Sequence, residues 1–149
     1  LHEMCRDAVQ KTAVLCESKN LSVDCADTHI TVRTDSGLLE QVLMNYLSNA
    51  INHVAKGGRI EVAIRHTAPE RVRVSVYNAG DDIPPDDLNR IWESFYKVDK
   101  ARTRAYGGTG IGLSVVAAIM KAHQMPYGVY NRQSASETGV EFYFELESR

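Results

Sequence analysis

The chain has 149 residues, 44% of them hydrophobic, and a formal net charge of −2. That length suits one domain with its own core, and the near-neutral balance argues against a nucleic-acid surface as the main partner. No apolar stretch approaches the roughly 20 residues of a membrane helix, and no secretory leader, repeat or low-complexity segment is visible.

Residues 3–18 place Met4, Ala8, Thr12 and Leu15/Cys16 at helical spacing, which predicts a helix with one buried face ending at Asn20. Because the chain begins inside this pattern, the expectation is a piece of something longer. Residues 21–25 and 30–34 read as two short strands. Asp35 or Ser36 can cap a second helix, with Leu39, Val42, Leu43, Tyr46, Leu47 and Ala50 on its apolar side. After the turn Lys56-Gly57-Gly58, residues 59–66 and 71–77 alternate apolar and polar side chains, a hairpin around Ala68-Pro69-Glu70. Pro84-Pro85-Asp86 starts a short helix carrying Leu88, Ile91 and Trp92. Residues 95–108 show no period but carry Lys97, Lys100, Arg102 and Arg104. A helix over 110–123 and strands over 127–132 and 140–146 complete an α+β chain. Helices grouped against a mixed sheet predict a two-layer α/β sandwich with about three helices. Cys5, Cys16 and Cys25 are odd in number and lack Cys-x-x-Cys spacing, so buried free thiols in a reducing cytoplasm are expected.

Four glycines (Gly107, Gly108, Gly110 and Gly112) precede the apolar helical run over 114–123. Glycines let backbone N–H groups approach a ligand, and the helix start aims its positive end at the same point, so the stretch reads as a phosphate cradle. A dinucleotide fold would put a buried strand directly before the glycines, where a charged loop stands, and a Walker loop needs Gly-Lys-Ser/Thr, which is absent. Upstream, Asn45 and Asn49 lie four apart on one helix face. Amide oxygens suit a hard cation such as Mg²⁺, although two polar residues on a solvated helix side fit as well. Asn78 ends a strand before Gly80. Its amide can match an adenine edge, or it serves only the turn. The basic stretch 97–104 is either a solvated loop or a mobile lid that brings cations to phosphate oxygens.

The order of these elements resembles the catalytic, ATP-binding domain of sensor histidine kinases, in the wider family shared with type II topoisomerases, ninety-kilodalton heat-shock chaperones and mismatch-repair ATPases. Residues 39–50, containing Asn45 and Asn49, look like its asparagine box, and Asn78-Ala-Gly80-Asp-Asp-Ile83-Pro84 like its first glycine box. Residues 91–99, with Phe95 and Lys97, resemble the phenylalanine box, Gly108-Thr109-Gly110-Ile111-Gly112-Leu113 the second glycine box, and Gly139-Val-Glu-Phe142 the closing strand.

By that resemblance Asn49 would hold Mg²⁺, Asn45 would contact phosphate or metal-bound water, and Asn78 would face the adenine amine. Gly80, Ile83 and Phe95 are carried with their boxes as nucleotide-binding positions. Gly108, Thr109, Gly110, Ile111, Gly112 and Leu113 would hold the phosphates under a flexible ATP lid, with Lys97 at the γ-phosphate. Asn45 stands where hydrolysing relatives carry a Glu to activate water; a neutral amide cannot act as that base, so ATP would be saved for transfer. Several positions depart from the pattern. Asn52 stands where Lys commonly contacts phosphate, His53 where Tyr commonly packs on adenine, Asn78 replaces the usual Asp, and Asp82 the second glycine of its box. A neutral acceptor in place of a charged one forfeits roughly 1 kcal/mol, several-fold in affinity.

A phospho-accepting histidine in such kinases is followed by an acidic residue and then a proline. His2-Glu3 begins this way, but residues 4–8 hold no proline, and His29, His53, His66 and His123 fit no better. The acceptor is expected outside this chain. The resemblance thus implies one catalytic domain over 1–149, with 1–19 the junction to a dimerisation hairpin. It would be an ATP-dependent protein-histidine kinase, the cytoplasmic part of a membrane-anchored sensor. Its partners would be that hairpin and a response-regulator receiver domain. Two alternatives stay open: a nucleotide-binding or docking module that has lost catalysis, and a serine kinase of the anti-sigma type.

Overall fold

The computed structural model describes residues 1–13, 20–25, 29–55, 57–96 and 112–148. In chain order the elements are α1 (His2–Ala13), β1 (Asn20–Cys25), α2 (Ser36–His53), β2 (Arg59–Ala68), β3 (Arg71–Ala79), α3 (Gly112–Ala122), β4 (Tyr127–Gln133) and β5 (Thr138–Glu147). The strands form one sheet in the order β1-β2-β3-β5-β4. β1 and β2 are parallel and every other pair is antiparallel, so the sheet is mixed. A parallel pair needs a crossover, and α2 supplies it.

Strand periodicity sets the two faces. Ile60, Val62 and Ile64 of β2, Val72, Val74 and Val76 of β3, and Val140, Phe142, Phe144 and Leu146 of β5 are buried in one core with Leu43, Tyr46 and Leu47 of α2 and Val116 and Met120 of α3. Each large apolar side chain so buried contributes about 1.5–3 kcal/mol relative to exposure. The expected two-layer α+β sandwich is therefore the observed one, with three α-helices among the described residues. Tyr46 anchors α2 to the sheet: its ring lies 5.3 Å from Phe142 and its hydroxyl donates to the Tyr143 carbonyl at 2.9 Å. Burial pushes its ionisation well above the ordinary tyrosine range.

Local chemistry explains the helix ends. Asp35 caps α2, its Oδ1 accepting from the N–H groups of Gly37 (2.9 Å) and Leu38 (3.1 Å), which satisfies two otherwise unpaired donors. α3 closes with Gln124 at φ 54°, Met125 N–H donating to Met120 O and Gln124 N–H to Lys121 O, the paired bonds of a Schellman turn.

Three expectations differ from the structure. Among the described residues, residues 30–34 make only an isolated antiparallel bridge, Val32 to Ser148, just past the end of β5. Asn20 opens β1 rather than closing a helix. The expected helix at Pro84 is a 3₁₀ turn (Pro85–Asp87) followed by successive turns such as Arg90 N–H to Asp87 O. Asp87 N–H to Pro84 O and Leu88 N–H to Pro85 O are bonds of i to i+3, which hold the stretch in the tighter turn. Cys5 is a buried free thiol, as expected; Cys16 and the segment 97–111, including the expected lid, lie outside the described residues.

Candidate functional site

Asn45, Asn49 and Asn52 repeat at spacings of four and three, forming a half-buried stripe beside the core face of α2. α3 starts against that stripe. A Cβ built on Gly112 would stand 3.2 Å from Asn45 Oδ1, so the absent side chain is what lets the helix start approach the amide. Leu113 packs partly into the core just beyond. The positive end of α3 therefore lies beside Asn45, a setting that favours anions.

The other end of α2 meets the end of β3. Gly80 has φ +147°, and a Cβ there would lie 3.2 Å from the carbonyl oxygen of His53 and 3.9 Å from Nδ2 of Asn78. Ala55 N–H donates to Ala79 O at 3.0 Å, and Gly80 exchanges bonds with Thr138: N–H to its carbonyl (3.0 Å) and carbonyl from its Oγ1 (3.1 Å). Asn78 follows the parity of Val72, Val74 and Val76, faces the helices, and is only 2% exposed. His53 is exposed, and its Nδ1 donates to the Asn49 carbonyl at 2.8 Å, which directs the ring back along its own helix.

Ile83 is held by a residue the sequence did not single out. Asn131 of β4 accepts from Ile83 N–H through Oδ1 (2.9 Å) and donates through Nδ2 to Ile83 O (2.8 Å). Gln133 adds a bond from Nε2 to Asp82 Oδ2 at 3.0 Å. The signal for Asn131 was its parity: it follows Tyr127 and Val129, which both pack on the core, so a polar side chain there must satisfy something inside. Phe95 is 70% exposed with φ 65°, whereas Trp92 before it is packed edge-on against Tyr127 (4.9 Å) and Phe142 (5.8 Å). Tyr96 donates to Asp87 beneath the Arg90 guanidinium.

The structure thus brings Asn45 to Gly112 and Leu113, and Asn78 to Gly80 and the His53 backbone. Asn49 and Asn52 share the stripe between them. Lys97, Gly108, Thr109, Gly110 and Ile111 lie outside the described residues.

The outer face of the sheet is polar and self-paired. Glu137 accepts from Tyr77 (2.7 Å) and Arg59 (3.1 Å), and Arg132 donates to Glu141 at 3.0 Å. Burial, aided by the Glu137 bond, pushes the Tyr77 hydroxyl up to about 12, while the Tyr77 bond, followed by Arg59, holds Glu137 below the usual carboxylate range. Glu141 is raised by burial and by nearby Glu61. A cavity of about 310 Å³ opens on this face between Glu61, Arg73, Arg132 and Glu141. Arg73 is committed to Glu145 (2.7 Å) and Arg132 to Glu141, so these walls neutralise one another.

Among the described residues no helix is long and apolar enough to cross a membrane, and no three His, Cys, Asp or Glu side chains gather as a metal site. Residues 34–149 match the family described as histidine kinase-, DNA gyrase B- and HSP90-like ATPases. The sensor histidine kinase WalK of Bacillus subtilis is 38% identical over 98 residues, covering 65% of this chain and 16% of that protein. The adaptive-response sensory kinase SasA of Rippkaea orientalis is 30% identical over 145 residues, covering 96% of this chain and 36% of that protein. The chain therefore spans only 16–36% of the length of these relatives. The catalytic domain of the histidine kinase ThkA superposes with a TM-score of 0.85 at 26% identity, over 99% of this chain and 91% of that one. The glycine and asparagine segments that meet at Asn45 are thus parts of an ATP-binding fold, and the chain belongs to the histidine kinase-, DNA gyrase B- and HSP90-like ATPase family.

Proposed function

We propose that this chain binds Mg-ATP along α2 and delivers the γ-phosphoryl group to a histidine on a separate dimerisation hairpin of a two-component sensor kinase. The observation that carries the reading is the pairing of contacts along one helix. Asn45 meets the start of α3, and the His53 carbonyl, further along, meets Gly80 beside buried Asn78. At 1.5 Å per residue the two contacts are about 12 Å apart, a span suited to a nucleoside triphosphate laid beside the helix, base at Asn78 and phosphates at Gly112.

The amide oxygens of Asn49 and Asn45 are hard, neutral donors of the kind Mg²⁺ accepts alongside phosphate oxygens and water. Bound there, the ion would neutralise phosphate charge. Asn45 is an amide and takes no proton from water, so the residues in place orient the nucleotide without promoting its hydrolysis. Transfer then requires positioning and charge neutralisation: the bond from the γ-phosphorus to the bridging oxygen breaks, a bond to the histidine nitrogen forms, and ADP departs. By their place in the chain, Lys97 would serve the γ-phosphate and Gly108, Thr109, Gly110 and Ile111 would continue the cradle. Residues 1–19 would join the domain to its hairpin. A response-regulator receiver would take the phosphoryl group onward, and the domain would work in the cytoplasm of a sensor anchored elsewhere.

The test uses the protein that carries this domain together with its hairpin. Incubation with γ-labelled Mg-ATP should place acid-labile, base-stable label on a histidine, and Asn49→Ala should abolish it while the melting temperature stays within a few degrees. Label on serine, or none despite bound nucleotide, contradicts the proposal.

A further inference from the structure

We propose that this site accepts purines with an oxo group at C6 nearly as well as those with an amino group, because its base-reading side chain is an amide that can turn over. The inference rests on reading the Asn78 corner as the base end of a nucleotide site. Asn78 is fixed at its backbone, in register with Ile60 on one side and Val140 on the other, and it is 2% exposed. Its reach is therefore set by the sheet.

The orientation of its amide is another matter. The bonds that pin this corner run from Ala55 to Ala79, between Gly80 and Thr138, between Asn131 and Ile83, and from Gln133 to Asp82. None of them uses the Asn78 amide. Its Nδ2 points toward Gly80, 3.9 Å from the place a Cβ would occupy, and Gly80 offers no side chain to hold it. The terminal torsion of Asn is broad and roughly two-fold, so exchanging Oδ1 and Nδ2 costs little where no described residue pins either atom.

The chemistry follows from the amide's two ends. Oδ1 accepts and Nδ2 donates, side by side. Along its C6–N1 edge adenine presents a donor and then an acceptor; hypoxanthine and guanine present an acceptor and then a donor. Turned one way, the Asn78 amide pairs both atoms of the first edge; turned over, it pairs both atoms of the second. Sites built around a buried hydrogen-bonding group reject an analogue strongly when that group is left unpaired. Here neither purine leaves it unpaired, so the usual source of discrimination is missing. A carboxylate at the same position only accepts; it would oppose adenine N1 as much as the C6 oxygen, and so pairs one atom of either edge.

Calorimetric titration of the protein with Mg-ATP, Mg-ITP and, as a pyrimidine control, Mg-UTP tests this. The expected result is dissociation constants for ATP and ITP within tenfold of each other and weaker binding of UTP. Asn78→Ala should weaken both purines by similar factors, several-fold each, because the amide pairs with either edge. ITP binding more than tenfold weaker than ATP in the unaltered protein overturns the proposal while leaving the nucleotide site intact. Loss of affinity for ATP alone in Asn78→Ala overturns it as well. Absence of ATP binding itself refutes the underlying site and the proposal with it. If Asn78→Ala does not fold, the ratio in the unaltered protein decides alone.

Discussion

Gly112, the first residue of α3, stands against the side chain of Asn45: a Cβ on Gly112 would lie 3.2 Å from Oδ1 and 3.6 Å from Cγ of the asparagine. Segments far apart in sequence thereby meet at one point, and the missing side chain is the condition for the meeting. The glycine's role here is steric, since its φ is not one of the positive values in the chain.

Gly112→Ala separates stability from binding. Alanine is the better helix former by up to about 1 kcal/mol, but at 3.2 Å the Asn45 amide must give way by a few tenths of an ångström. The melting temperature should hold or rise slightly while Mg-ATP affinity falls several-fold in calorimetry. Unchanged affinity would show that the Asn45 contact does not serve the phosphate end.

Asn131→Ala removes both bonds that hold Ile83. The loss should be about 1–3 kcal/mol of stability, since the freed backbone groups are half-buried. Nucleotide affinity should fall with it, because the first glycine box keeps only the Gln133–Asp82 bond to β4. Asn131→Asp keeps an acceptor for Ile83 N–H but loses the donor to Ile83 O, and should lie between the two. Chemical denaturation of the three proteins gives the order.

Gly139→Ala should be more damaging than either. A Cβ at Gly139 would sit 2.3 Å from Asn78 O and 2.5 Å from the Tyr77 ring, and the first of these is backbone that cannot turn aside. Overpacking typically costs about 1–3 kcal/mol and occasionally more, and an approach of 2.3 Å to backbone puts this variant at about 3 kcal/mol or above. The urea midpoint should drop with little change in slope, and the Asn78 corner should lose affinity for nucleotide.

What was legible in the sequence was whatever repeats or caps. The valine alternation of β3, the Asp35 cap and the apolar face of α2 all appear in the structure where their spacing put them. Asn45 and Gly112 were legible as members of ordered motifs, but their contact was not, because nothing local in either segment encodes a long-range approach. For Asn131 the inward parity shared with Tyr127 and Val129 was legible, but its partner was not, because it bonds the backbone of Ile83 and backbone groups carry no sequence signature. Residues 30–34 misled because alternation predicts a strand whether or not a partner strand extends far enough to pair with it.

Tyr77→Phe tests the network beneath the Asn78 corner by its pH dependence. The Tyr77 hydroxyl donates to Glu137 at 2.7 Å and its ionisation is pushed up to about 12 from an ordinary 10.0. A group raised on folding contributes stability that is complete below its unfolded value and lost as pH climbs through the folded one. At pH 7 the unaltered protein should exceed Tyr77→Phe by about 1 kcal/mol. That advantage should shrink between pH 10 and 12. Parallel melting curves across that range, with no convergence, would contradict the assignment.

The central claim is that a nucleotide lies beside α2, with its phosphates at Asn45 and Gly112 and its base at Asn78 and Gly80. Mapping backbone amide shifts on titration with Mg-ATP tests it most directly. The account predicts the largest shifts at Asn45, Asn49, Gly112, Asn78 and Gly80. It predicts little change at Glu61, Arg73 and Glu141, which line the cavity on the opposite face of the sheet. Shifts concentrated on that outer face, or none at millimolar nucleotide, would contradict it.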